Sequence, residues 1–436
     1  MKGIKVGKIV ALLFILVFLA SPFIIIDSHV KAIIPAIIVP DDYSTIAAAI
    51  GNAADGDTIF VRKGTYEEHK LAITKSLSLV GEDADLTVIK NLKGPLISEP
   101  GFVPPLYEVT AIEINSSNVR VSGFTIVDSG EPIVVRGNKT LITGNIIWRS
   151  GSGIKLEGNN NTIANNTVLG VGSGFITCTG SYNIIAGNSM TGDGNDDGIG
   201  IYGSFNVVYD NTLKDSGFGI EVRGNANTLA RNNMTDGGLI FDRDSSNNSI
   251  WANRALGVDL MGFNNTFIAN DVGYVSIGGF HGGSTDAADN VFYHNNFEGA
   301  PELRVSTKAP GLLVWDNGRE GNYWSSYRGV DADGDGIGDE AYKVFASYSY
   351  YDGIVREDAL VDCGKDNHPL MAPFDIDSVP IDLPEWAVPV TPQEFILPEP
   401  FPTAPVVAAS VASIAFAGAG ALVYSRKRKR QAPMAS

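Results

Sequence analysis

Cysteine is nearly absent from this chain of 436 residues: two occur, Cys178 and Cys363, so no disulfide framework defines the fold. Histidine is scarce as well, with five in all, and His29, His69, His281, His294 and His368 show no metal-ligand spacing. Basic residues are in deficit, 32 Lys and Arg against 49 Asp and Glu, which gives a net charge of −17. Three of the bases precede the N-terminal apolar run and five crowd the C-terminal tail, so the stretch between them is close to −25. A surface of that sign repels nucleic acid and suits cations or neutral glycans.

Glycine, by contrast, is abundant, with 49 residues, and short Val- and Ile-rich runs alternate with polar interruptions. That balance favours strands and turns over helices. The organising feature is a recurring element: Asn, any residue, apolar, two residues, Asn, any residue, apolar. It occurs as Asn161 to Val168, Asn183 to Met190, Asn206 to Leu213, Asn227 to Met234, Asn248 to Ala255, Asn265 to Val272 and Asn290 to Phe297, with weaker copies from Asn118 and Thr140. Apolar residues five apart would face opposite sides of one straight strand, so a corner must lie between them. Asn suits a corner because it tolerates left-handed backbone angles and bonds nearby backbone, and one amide per turn would stack into a ladder about 4.8 Å apart.

Each coil adds a second strand with inward pairs Ile154 and Leu156, Ile176 and Cys178, Ile199 and Ile201, Ile220 and Val222. Corners follow at Gly158, Gly180, Gly203 and Gly224. Coils of about 21 to 23 residues stacked in this way form a right-handed parallel β-helix, a solenoid whose apolar column is buried by its neighbours. Cys178 falls in an inward slot and reads as a buried free thiol. Tyr43 to Ala53, with Ile46 and Ile50 four apart, reads as a short N-terminal cap helix over the open end of the column.

The termini place the chain outside the cytoplasm. Lys2, Lys5 and Lys8 precede an apolar run from Ile9 to Ala20, which is the order of an export signal (1–32), with an uncleaved signal anchor as the alternative. The ectodomain is read as 33–374 and a Pro-rich, acidic stalk as 375–405. Val406 to Tyr424 form an uncharged stretch long enough for a transmembrane helix, and the basic tail 425–436 stays cytoplasmic. Seven Asn-x-Ser/Thr sequons, at Asn115, Asn138, Asn160, Asn165, Asn233, Asn247 and Asn264, permit glycosylation.

Two acidic groups are candidates for chemistry. Asp331, Asp333 and Asp335 precede Gly336, with Asp339 at the ninth position of the loop, and such alternating carboxylates can surround calcium as the first part of an EF-hand does. Tyr342 stands where the bidentate Glu would be, so Glu340 or a distant oxygen must complete the shell. The second group appears when coils are aligned: Asp215 and Asp236 fall four residues after the second Asn and Asp193 five after it, with Asp196 and Asp197 in the same enlarged turn. Adjacent coils would bring such carboxylates within glycosidase range, about 5 to 10 Å, although Asp is common in solvated turns.

"VPDDYSTIAAAIGNAADGDTIFVRKGTYEE" and "ITKSLSLVGED" near the start, and "GNYWSSYRGVDADGDGIGDEAYKV" and "DNHPLMAPF" near the end, resemble the opening and closing segments of NosD-like parallel β-helix proteins of the pectin-lyase-like superfamily. The likeness spans about Val39 to Phe374. It implies a β-helix fold and, from the family's name, assistance in copper-site assembly, for which this chain has no His or Met cluster. The superfamily also implies acids on neighbouring coils in its hydrolases. His281 in "GGFHGG" resembles the Gly-His-Gly of polygalacturonases, without the accompanying Arg-x-Lys. "PEPFPTAP", the apolar span and the basic tail together resemble an archaeosortase-type sorting signal, which would exchange the helix for a lipid anchor.

The residues thus predict a membrane-anchored cell-surface β-helix that binds or organises polysaccharide or surface-layer protein partners. A polysaccharide lyase, hydrolase or epimerase acting through the coil acids, and a copper-site assembly factor, are the alternatives. Tyr323, Trp324 and Tyr327 stack on sugars or pack the terminal cap.

Overall fold

The computed structural model describes residues 36–91, 110–196, 198–277, 287–298, 304–305, 313–348, 360–380 and 383–387. All lie in one compact unit, Pro35–Pro392. The expected export signal, transmembrane span, basic tail and most of the stalk fall outside the described residues, as do His29, His281 and Asp197. Among the described residues no helix is long and apolar enough to cross a membrane.

The unit is an all-β parallel solenoid. One sheet of thirteen parallel strands runs from Ala36–Val39 through Thr162–Ala164, Ile184–Ala186 and Val207–Tyr209 to Leu313–Val314. The other strands form two further faces. One includes Thr167–Leu169, Ser189–Asp196 and Thr212–Ser216; the other includes Ile154–Leu156, Ile176–Cys178, Ile199–Ile201 and Gly219–Val222. These two faces merge where Arg254–Leu260 and Asp271–Ile277 run through both. Every pairing between coils is parallel; the antiparallel exception joins Tyr342–Tyr348 to Leu360–Asp366 in the closing segment.

The core follows the period-2 alternation of the short strands. Ile154, Leu156, Ile176, Cys178, Ile199, Ile201, Ile220 and Val222 are all at most 1% exposed and join one continuous column. Toward the C-terminal end the column becomes aromatic: Phe267 stacks on Phe292 at 4.5 Å and Phe292 on Trp315 at 4.8 Å, while Trp324 lies between Phe297 at 4.3 Å and Tyr342 at 4.6 Å. Trp324 is therefore packing, not a sugar platform. At the other end a helix, Ile46–Asn52, is capped by the Thr45 side chain accepting from the Ala48 N–H and buries Ile46, Ala49 and Ile50 in the same column.

The Asn residues do form ladders, two of them. Asn188 Nδ2 donates to Asn211 Oδ1 at 2.9 Å, and Asn211 Nδ2 in turn to Asn232 Oδ1 at 3.0 Å; each Oδ1 also accepts the backbone N–H of the Asn one coil earlier. The left-handed backbone is displaced from where the corner argument put it. It falls one residue before each ladder Asn, at Asn160, Tyr182, Phe205, Ala226 and Asn247 on one ladder and at Asn165, Gly187, Asp210 and Arg231 on the other. The ladder Asn is thus chosen for its buried amide, and its neighbour makes the corner. Glycines at the opposite corner answer to close approach between coils: a Cβ at Gly180, Gly203 or Gly224 would lie 1.9, 1.8 or 1.7 Å from the carbonyl oxygen of the previous coil's glycine.

One boundary needs correction. The chain does not leave the solenoid as an extended stalk at 375. Phe374 exchanges two backbone bonds with the Asn296 amide, at 2.7 and 2.9 Å, and stacks on His294 at 4.3 Å. Ile376 then packs with Ala252 and Ala269, Asp377 pairs with Arg254 at 2.8 Å, and Leu383 and Ala387 join Ile184, Ala186, Val207, Tyr209 and Ala230. Residues 374–380 and 383–387 thus lie along the outer face of the thirteen-stranded sheet. The Pro and acidic composition hid this because the apolar residues that dock are spaced by the strand repeat of the solenoid, not by any period of their own.

Candidate functional site

The loop after the last coil gathers three of its four predicted ligands. One carboxylate oxygen from each of Asp331, Asp333 and Asp335 lies within 4.8 Å of the others, on an exposed turn opened by Gly334 and Gly336, both at positive φ. Asp331 accepts the N–H groups of Gly334 at 2.7 Å and Gly336 at 2.9 Å, and those donors hold its carboxyl below the usual carboxylate range. Asp339 is not with them: its Oδ2 accepts the Ala332 N–H at 2.9 Å and closes the loop on itself. The loop is fastened to the solenoid by Gly338 N–H to Pro369 O at 2.8 Å and by Tyr327 Oη to Glu340 O at 2.6 Å.

Beneath it sits a residue that the sequence reasoning missed. Asp366 is fully buried and accepts the N–H groups of Asn322 at 2.7 Å and His368 at 3.0 Å and the indole of Trp324 at 2.8 Å. Burial pushes its pKa up while these donors pull it down. Gly321 must be glycine, because a Cβ there would meet Asp366 Oδ1 at 1.8 Å. The segment "DNHPLMAPF" was noted only for its resemblance; a buried carboxylate carries no periodic signal that would have marked it.

Of the coil acids, Asp215 and Asp236 are brought together. Asp215, at φ 48°, points its N–H at Asp236 Oδ2, 3.4 Å away, and the same oxygen accepts the Thr235 hydroxyl at 2.8 Å. Both are exposed. Asp193 and Asp196 lie on Ser189–Asp196, whose pairing with Thr212–Ser216 shifts register between Thr191 and Asp196.

The outward side of the face containing Ile176–Cys178 is different in character. Lys155 pairs with Glu157 at 3.1 Å, Arg136 with Glu157 at 2.9 Å and with Glu113, and Arg223 with Glu221 at 2.8 Å and Asp242 at 3.2 Å. An exposed ring accompanies the charges here, Arg223 lying 5.1 Å from the Tyr202 ring centroid; on the face that includes Thr167–Leu169, Arg149 lies 5.1 Å from that of Trp148.

Residues 50–260 match the family described as periplasmic copper-binding protein (NosD). The chain is a NosD-like parallel β-helix protein. Among curated proteins none matches it by sequence. Solved structures similar to it include a PL6 alginate lyase in complex with a trisaccharide, at 14% identity over 62% of this chain and 80% of that one, with a TM-score of 0.47. The catalytic unit of a GH87 α-1,3-glucanase from Streptomyces thermodiastaticus is 14% identical over 64% and 61%, with a TM-score of 0.48. A tailspike protein of E. coli bacteriophage HK620 in complex with a pentasaccharide is 11% identical over 64% and 61%, with a TM-score of 0.44.

Among the described residues the donor set does not fit copper. Copper takes imidazole, thiolate or thioether. His294 is engaged instead, its Nε2 2.6 Å from Glu320 Oε2 and its ring on Phe374, and both cysteines are buried, with the Cys178 thiol pushed up to about 12 by desolvation. Among the described residues the group of three ligand-type side chains that converges is the all-oxygen Asp331, Asp333, Asp335 set, which suits a hard cation.

Proposed function

We propose that this NosD-like solenoid is an extracytoplasmic, surface-exposed protein that binds or organises polysaccharide or surface-layer partners. The observation that carries the reading is the outward surface beside Tyr202, an exposed ring set among Glu221, Arg223 and Asp242, charges that are paired with one another. Such a surface offers stacking and hydrogen bonds without a strong local field, as a sugar chain requires. The export signal at 1–32, the anchor at 406–424 and a structural calcium ion at the Asp331 loop complete the reading. The sequence patterns support the first two, and the convergent carboxylates support the third.

An enzymatic reading rests on one observation, the contact between Asp215 and Asp236 on neighbouring coils. A glycan array followed by product analysis separates the two: a binder retains glycan and releases nothing. Reducing ends or unsaturated products that disappear in the Asp215→Asn and Asp236→Asn variants would replace binding with catalysis.

A further inference from the structure

Toward the C-terminal end of the solenoid a cleft of about 320 Å³ opens on the outward side of the coils, lined along one row by Thr235, Leu256, Gly273 and Glu298 and along the next by Arg254 and Asp271. Strand register builds it. Ala255 pairs with Val272 and Gly257 with Tyr274, which sets Leu256 beside Gly273, and Val272 pairs with Phe297, which sets Gly273 beside Glu298. Val272 and Phe297 are buried inward, so the residues that follow them face out, and Leu256 is 54% exposed. Gly273 is the member of this row without a side chain, and a Cβ there would fall 2.7 Å from the Leu256 carbonyl oxygen. Its bareness leaves a gap between Leu256 and Glu298 two coil spacings wide, about 10 Å.

The two ends of the gap differ in chemistry. Leu256 gives one end an apolar flank, with the Thr235 hydroxyl next to it. At the other end the exposed Glu298 carboxylate has no ion pair or hydrogen bond among the described residues. The cation of the cleft is already matched, since Arg254 meets Asp377 at 2.8 Å and Asp271 at 3.7 Å. Glu298 is therefore the charge left over, and the net charge of −17 on the chain reinforces its field. A ligand that fits must bring a positive charge to Glu298, an apolar C–H surface to Leu256 and hydrogen-bonding groups to Thr235 and Asp271. A sugar bearing an ammonium group has all three, and the cleft is of the size of the smaller ligand sites, about 300 Å³ and upward.

We infer that the Gly273 cleft is a subsite for an amino sugar of a glycan, its ammonium group on Glu298 and its C–H face on Leu256; this rests on the carbohydrate reading above and names the class of sugar. The test is calorimetric titration of the full chain in detergent micelles, at mildly acidic pH where the sugar amines carry protons. The ligands are the hexamers of glucosamine, N-acetylglucosamine and glucose, and hexalysine. The glucosamine hexamer is expected to bind about tenfold more tightly than the N-acetylated one, and added salt should narrow the difference. Glu298→Gln and, separately, Leu256→Lys should bring the two to one affinity; both side chains are exposed, so neither change disturbs the core. Glu67→Gln, the same loss of charge on the strand Gly64–Glu68, should keep the difference. A difference that survives both cleft variants overturns this site. Equal affinity of the three hexasaccharides for the wild-type chain overturns the amino sugar while leaving carbohydrate binding in place. Hexalysine bound as tightly as the glucosamine hexamer makes the ligand a cationic peptide and overturns the sugar too. If no hexasaccharide binds at millimolar concentration, the carbohydrate reading falls and this inference with it.

Discussion

Replacing Asn211 by Ala tests whether the amide ladder, more than the apolar column alone, holds the coils in register. Asn211 is fully buried. Its Oδ1 accepts from Asn188 N at 3.0 Å and Asn188 Nδ2 at 2.9 Å, and its Nδ2 donates to Ile185 O at 2.8 Å, Tyr209 O at 3.1 Å and Asn232 Oδ1 at 3.0 Å. Alanine strips two donors of Asn188 of this acceptor where water does not enter. A buried polar group left unsatisfied costs about 1–3 kcal/mol, and since Asn188 Nδ2 keeps its bond to Ile163 O at 2.9 Å the loss falls chiefly on the Asn188 N–H, about 1–3 kcal/mol. Because each coil leans on its neighbours, the damage should be local before it is global. Hydrogen exchange read by mass spectrometry on the full chain should show opening between residues 183 and 232 while 58–91 stays protected, together with a lowered urea midpoint. A loss of unfolding free energy of less than about 1 kcal/mol for Asn211→Ala would mean that the ladder is incidental to stability.

Calcium should raise the melting temperature of the wild-type chain, by about 2.7 kcal/mol of stability at free ion roughly 100 times Kd, and should do much less for Asp333→Asn with Asp335→Asn; equal gains in both would leave a solvated turn. Because the Asp331 pKa is lowered in the folded loop, its contribution is present above the ordinary carboxylate range and is lost as pH falls through the lowered value, which a chelated sample titrated by loop-region exchange would reveal. Cys178 should resist thiol reagents until the chain unfolds, since its thiolate is disfavoured by burial; rapid labelling in native buffer would place it elsewhere. Removing Ile376 and Leu383 as anchors (Ile376→Ser, Leu383→Ser) should uncover the apolar outer face and increase dye binding, whereas a true stalk would show no change.

The spacing of Asn, apolar residues and Gly along one chain determined the solenoid, because a coil repeats one local problem: turn a corner, bury two side chains, satisfy the backbone. Each of those demands is met by residue type at short range, so Ile176, Cys178 and Asn183 were placeable from sequence. What tertiary structure alone decided lies across coils or across the molecule. The corner moved to the residues before the ladder Asn, because only stacking shows that the amide is needed inside. Asp339 turned back on its own loop, where its Oδ2 accepts the Ala332 N–H. Leu383 and Ala387 docked because a strip of Ile184, Ala186 and Ala230 on an outer sheet face was there to receive them. The Tyr202 ring lies beside Gly200, two residues before it, where a Cβ would crowd it, and Arg223, one coil later, sits over the ring. None of those partners is visible in a linear pattern, since the side chains that meet are joined by the pitch of the solenoid and not by any sequence period.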